Sequence, residues 1–219
     1  YIHGTHLFPD GDLLLNVEYA GTVRMNACGA VEWTLSAGTH HSIERAADGS
    51  FWISGLAEGR RRGSDAYPDG YPGLDLVFVD QLLRVSPDGT VLDTLNVLDL
   101  LYNNNLQRHF IKAGQTRGDV THLNDVEPLS PGMADEYPLF DAGDLVVSLR
   151  NIDLVFVVDP DRQIQYAWQS ETIEDEPDLA AVGQLAATAI AVNCQRTNLS
   201  VTAGQAGWKT AVKEQVTAV

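Results

Sequence analysis

Four turn signals of the Asp-Gly type punctuate this chain. They are Pro9-Asp10-Gly11, Ala47-Asp48-Gly49, Pro87-Asp88-Gly89 and, in weaker form, Asp141-Ala142-Gly143. Such pairs tolerate the positive φ that tight hairpins require. Each is followed by a largely apolar run that reads as a strand: Leu13–Val17, Phe51–Ser54, Val91-Leu92 and Leu145–Ser148. Alternation predicts further strands at Thr22–Met25, Val31–Leu35, Leu76–Val79, Leu82–Val85, Leu154–Val158 and Gln163–Trp168.

Histidine stands at a fixed distance before three of these turns. From His3 to Gly11, and from His41 to Gly49, is eight residues. From His122 to Gly143 is twenty-one, and the loop-like segment Pro128–Phe140 supplies an insertion of thirteen. Two units close on a strand carrying tryptophan, with Gly11 and Trp33 22 residues apart and Gly143 and Trp168 25 apart. A period of about 40–50 residues, built of short strands with turn punctuation, is the pattern of propeller blades. The expected fold is therefore all-β, with four-stranded β-propeller-type blades.

The second unit carries a Gly- and Arg-rich insertion, Gly55–Leu74, whose Arg60, Arg61 and Arg62 are expected to be solvated. Asn96–Phe110 lacks strand alternation and spaces Leu98 and Leu101 as a helix does, predicting a short helix or long loop. Blades are expected over residues 1–170. The atypical segment 171–219 is expected to be partly helical, through the Ala- and Leu-rich Asp178–Val192. Three good units are present, and a closed propeller needs at least four. The chain is thus expected to be part of a larger propeller, a truncated product, or a half that closes by association. Open blade edges favour a homo-oligomer or a C-terminal helix folded over the open side.

Acidic residues outnumber basic ones by 30 to 14, a net charge of −16, which disfavours nucleic acid and anionic membranes as partners. An anionic ligand would then need a local cluster of His and Arg. No apolar run is long enough for a membrane span. The chain opens at Tyr1 without a basic segment followed by an apolar one, so any secretory signal is expected to lie outside it. Cys28 and Cys194 have no metal-ligand spacing, and their pairing is left open. Asn198-Leu-Ser200 matches the glycosylation acceptor pattern, too short to weigh.

Equivalent positions on the innermost strands of successive blades face one axis, so His3, His41 and His122 are expected to converge. A repeated histidine also serves simply to bond a neighbouring backbone. Three at one offset, with Asn124 two residues after His122 and Arg150 at a strand end, favour a site. Imidazoles, an amide and a planar guanidinium suit an oxyanion. Three histidines also suit zinc or a softer divalent ion, but the neighbouring arginine and the lack of a matching carboxylate in each unit weigh against a metal. A Ser-His-Asp triad lacks its nucleophile elbow.

Asp119-Val-Thr-His122-Leu-Asn124, followed by Gly143-Asp-Leu-Val-Val-Ser148-Leu-Arg150-Asn151, resembles the central motif of the bacterial arylsulfate sulfotransferases. Thr39-His40-His41-Ser, with Asp48-Gly49, resembles the histidine motif of the preceding blade, and the resemblance runs over Tyr1–Trp168. It implies a six-bladed propeller, periplasmic or secreted, that needs no cofactor. It also implies that a sulfuryl group passes from an aryl sulfate to a phenol through a transiently sulfated histidine. His122, Asn124 and Arg150 would hold and polarise the sulfate, His41 would act beside them, and His40 and His3 would line the substrate site. The family's acceptor histidine belongs to a later motif resembling Gln-His-Asp-Pro-Asp. The nearest stretch here is Glu174-Asp175-Glu176-Pro177-Asp178, with Asp175 in the histidine's place. The resemblance therefore implies an incomplete active site. The alternative is a non-catalytic module that binds an anion or a partner.

Overall fold

All four turn glycines take positive φ, from 87° to 98°, in the computed structural model, which describes residues 1–137 and 139–169. They do not all mark the same corner. Gly11, Gly49 and Gly143 join the first and second strands of a sheet, whereas Gly89 joins the third and fourth. That is why no histidine precedes Gly89 at the common offset.

The chain divides into two units, Tyr1–Gln169 and Ser170–Val219. The expected helix at Asp178–Val192, together with Asp175 and Cys194, lies outside the described residues. Cys28 is exposed in the first unit.

The first unit is mostly β. Strands β1 (Ile2–Leu7), β2 (Leu13–Val17), β3 (Gly21–Met25) and β4 (Val31–Leu35) form an antiparallel sheet in chain order. The second sheet begins with β5 (Ile43–Arg45) and β6 (Phe51–Leu56). A two-residue strand, β7 (Val77–Phe78), follows the inserted loop, and β8 (Asp80–Val85) and β9 (Val91–Asn96) complete the sheet in the order β5-β6-β8-β9. Two helices follow, α1 (Val97–Asn103) and α2 (Arg108–Lys112), then β10 (Gly118–Asp119), which pairs in parallel with β7. The third sheet is β11 (Leu123–Pro128), β12 (Leu145–Leu149), β13 (Leu154–Val158) and β14 (Ile164–Gln169). No helix among the described residues is long and apolar enough to cross a membrane.

Some details differ from the sequence expectation. Leu76–Val79 is not a strand of the main sheet; Val77–Phe78 pairs with β10, and Val77 also bridges Arg61 of the inserted loop. Pro128–Phe140 is not all loop. β11 runs to Pro128, and Ser130 caps one helical turn, α3 (Pro131–Ala134), with its side chain accepting from Met133 N–H. Proline is tolerated there because it ends the strand and opens the turn. Asn96–Phe110 becomes α1 and α2, and Leu98 and Leu101 are fully buried as their spacing implied.

The core lies between successive sheets. Leu14, Ile43, Phe51, Ile53, Leu83 and Val85 fill the first gap. Trp52, Leu82, Leu95, Val126, Val147, Phe156 and the apolar face of α1 fill the larger second one. Burying about six large apolar side chains contributes on the order of 10 kcal/mol of transfer free energy before the entropy cost. Trp33 ties the first sheet to the second, donating its indole N–H to the carbonyl of Pro87 at 3.0 Å. The inserted loop is fastened to α1 by tyrosines: Tyr71 donates to Asp99 and Tyr102 to the carbonyl of Pro72.

Candidate functional site

The site grows from two short segments that precede the first strands of the second and third sheets. Thr39-His40-His41-Ser42 leads into β5 and Thr121-His122 into β11. His41 and His122 both take left-handed backbone, with φ of 47° and 51°. This conformation costs a β-carbon residue about 1 kcal/mol, so the surroundings must hold it.

A buried polar frame does so. Asn16 Nδ2 donates to the carbonyls of His40, His41 and Ser42, at 3.2, 3.1 and 3.4 Å. Thr22 donates to Asn16 Oδ1 at 2.6 Å and fixes the amide's orientation. The Ser42 hydroxyl accepts from Val126 N–H at 3.1 Å and so links the second and third sheets. Around His122, the buried carboxylate of Asp80 accepts from the Thr121 hydroxyl and, at 3.0 Å, from Leu123 N–H. The carbonyls of His122 and Thr121 accept from the N–H groups of Arg150 and Asn151.

His3 and Asn124 arrive differently. Each sits at an irregularity in its strand pairing, between Ile2 and Thr5 in β1 and between Leu123 and Asp125 in β11. An extra residue of this kind re-aims a side chain out of the sheet's alternation.

His3, His41 and His122 do converge, as a line rather than a ring. His122 Nε2 faces His41 Nε2 at 3.1 Å, and His41 Nδ1 faces His3 Nδ1 at 3.2 Å. Because His41 meets its neighbours with opposite nitrogens, the three rings do not converge their nitrogens on a single point, which a shared cation would require. Carboxylates stand at both ends of the line. Asp119 Oδ2 is 2.5 Å from His122 Nδ1, and Glu18 Oε2 is 3.9 Å from His3 Nε2. His41 is held below the ordinary histidine value, at about 4, chiefly by burial and then by His40, His122, His3 and Arg150. It is therefore neutral near pH 7.

The remaining expected residues take distinct places. Arg150 opens a 3₁₀ turn and is exposed; its Nε donates to Asn151 Oδ1 at 3.2 Å, and its charge reaches His41. His40 is buried behind His41, edge-on to it at 5.1 Å, with its Nε2 3.5 Å from Asp80 Oδ1. Asn124 is half-buried at the start of β11. Arg60 lies over the ring of Phe78 and exposed Arg62 pairs with Asp75, so the arginine run faces solvent.

Asp119, Glu18, Asn16 and Asp80 were not singled out from sequence as site residues. For Asn16 a signal was present. It stands five residues after its turn glycine, where Ser54 and Ser148 stand in the other two units, a polar position inside an otherwise apolar strand.

With this geometry in view, residues 5–175 match the profile of the arylsulfotransferase (ASST) family. No curated protein matches the chain significantly. Among solved structures, the chain is similar to a streptogramin B lyase at 9% identity, covering 78% of this chain and 55% of that one, with a TM-score of 0.35. It is also similar to selenomethionine-substituted virginiamycin B lyase from Staphylococcus aureus at 10% identity, covering 78% and 56%, with a TM-score of 0.33. The chain thus spans little more than half the length of those structures.

Proposed function

Because the chain belongs to the arylsulfotransferase family, we propose that its histidine line takes part in sulfuryl transfer from an aryl sulfate to a phenol. The observation that carries this reading is the contact of His122 and His41 through Nε2 at 3.1 Å, with Arg150 close enough to act on His41. In this reading the three four-stranded sheets are consecutive blades of a propeller, and further blades or a second copy complete the ring.

Sulfate binds where positive charge and N–H donors meet. Arg150 and Asn124 hold its oxygens, and His122 and His41 face the bridging oxygen. On transfer the S–O bond to the aryl group breaks and the phenolate leaves with the bonding pair. A proton from the histidine pair neutralises it. The acceptor phenol forms the new S–O bond and returns a proton, so the site ends as it began. Preorganised donors matter most where charge develops, on the sulfuryl oxygens and the leaving oxygen. The family's setting, periplasmic or secreted, belongs to the same reading.

A second reading has its own support. Asp175 stands in the sequence where the family's acceptor histidine is expected. A carboxylate there lacks the imidazole nucleophile, so the His, Asn and Arg donors would hold an anion without turnover. An assay with an aryl sulfate donor and a phenol acceptor separates the two. Transfer that is lost in His122→Ala supports the enzyme. No transfer by a folded protein, with aryl sulfate binding seen by calorimetry, leaves the binding module and overturns the enzyme.

A further inference from the structure

We propose that Asp119 and Glu18 make His122, His41 and His3 a directional proton relay between the ligand-facing rings and solvent, with Asp119 as the positioning residue. The proposal rests on the transfer reading for its purpose, though its geometry stands apart from it.

Counting protons gives the direction. A carboxylate only accepts, so His122 Nδ1 carries a proton toward Asp119 Oδ2 at 2.5 Å. A neutral imidazole has one N–H, which leaves His122 Nε2 as an acceptor. The 3.1 Å contact then requires the proton on His41 Nε2. His41 Nδ1 is in turn an acceptor, and the 3.2 Å contact requires the proton on His3 Nδ1. His3 Nε2 is left as a lone pair on a partly exposed ring, 3.9 Å from Glu18. Three protons on three neutral rings therefore have a single arrangement, set from the Asp119 end.

A fourth proton enters at His3 Nε2, where Glu18 supplies a counter-charge. Moving the Nδ1 proton of His3 to His41, and the Nε2 proton of His41 to His122, leaves the charge on His122 beside Asp119. No proton crosses more than one hydrogen bond. The charge does not rest on the middle ring, which burial, His40, His122, His3 and Arg150 keep neutral; Tyr19 and Asp80 flank His40 behind it. When an aryl sulfate occupies the site, the leaving phenolate takes the Nε2 proton of His122, which leaves the remaining protons on His41 Nδ1 and His3 Nε2 until the reverse hops reset them. The acceptor phenol's proton returns by the same path.

Imidazole ¹⁵N shifts of the full chain, labelled at histidine, test this near pH 8 without turnover. The expected pattern is pyridine-type Nε2 on His122 and His3 and pyrrole-type Nε2 on His41. In Asp119→Asn all three rings should change together, and Asp119→Glu should restore them. A protonated Nε2 on His122 in the wild type overturns the relay, as does an Asp119→Asn protein in which His41 and His3 are unchanged. The wild-type pattern decides even where a variant does not fold. The expected tautomers in a protein without transfer activity support the relay and overturn the transfer reading. In an active protein, Glu18→Gln should lower kcat about 10-fold at constant KM, and added imidazole buffer should restore it; an unchanged kcat overturns the relay alone.

Discussion

A β-carbon on residue 4 would lie 1.9 Å from the carbonyl oxygen of His41, so Gly4 is what lets β1 approach the histidine segment. That approach delivers His3, the preceding residue, to His41. Gly4→Ala must push β1 and the His41 backbone apart. We expect a loss of about 1–3 kcal/mol in urea unfolding. We also expect the His3–His41 contact to open while the second and third sheets stay intact. An alanine variant as stable as the wild type, with unchanged imidazole shifts, would contradict the close approach.

Acid should weaken the fold through His41. Its folded value of about 4 lies below the ordinary 6.5. Between these values the unfolded chain binds a proton that the folded chain refuses. Stability present above about pH 6.5 is therefore lost as pH falls toward 4. His6, also held below its ordinary value by burial, Arg45 and Arg24, acts in the same direction. Urea midpoints should fall across this window, and His41→Gln should flatten the slope.

Asn16→Asp should be worse than its size suggests. The side-chain amide of Asn16 donates to three carbonyls in a fully buried position. A carboxylate oxygen there would face the same three acceptors. Leaving such groups buried without donors costs roughly 3 kcal/mol or more. The variant should regain part of its stability at low pH, where a protonated carboxyl can donate. Chemical unfolding at pH 7 and pH 4 checks both signs.

Strands whose own residues alternate or run apolar were legible from sequence. β2, β4 and β13 have the bounds that Leu13–Val17, Val31–Leu35 and Leu154–Val158 implied. The opening edge strands β1, β5 and β11 were not, for a physical reason. They carry His3, Glu44, Asn124, Asp125 and Pro128, and two of them pair with irregular register. They are strands because a neighbour supplies the hydrogen bonds, not because their own pattern demands it. The site divided likewise. A repeat exposes residues at matching positions, so His3, His41 and His122 stood out. Asp119 and Glu18 occupy unmatched positions, and only tertiary pairing brings them to the ends of the line.

Arg150 offers the sharpest test of anion recognition. Its Nε is used by Asn151, whose own amide donates to the carbonyl of Asp119 at 2.9 Å. The guanidinium is therefore oriented by the strand that also carries the His122 carboxylate partner. Arg150 is exposed and among the described residues no carboxylate pairs with it, so in the proposed reading its remaining donors serve the sulfate. Arg150→Lys keeps the charge but loses the fork that matches two oxygens. Sulfate or aryl sulfate affinity should fall about 10-fold, equal to roughly 1.4 kcal/mol. Arg150→Ala should weaken binding further. It should also let the His41 value rise from about 4, because the arginine is one of the charges that hold it down. The acid-sensitive window of the alanine variant should then narrow from its lower end, while that of the lysine variant should not. Calorimetric titration with sulfate, paired with ¹⁵N titration of His41, measures both effects. A lysine variant that binds as tightly as the wild type would show that charge alone, and not the planar fork, recognises the anion.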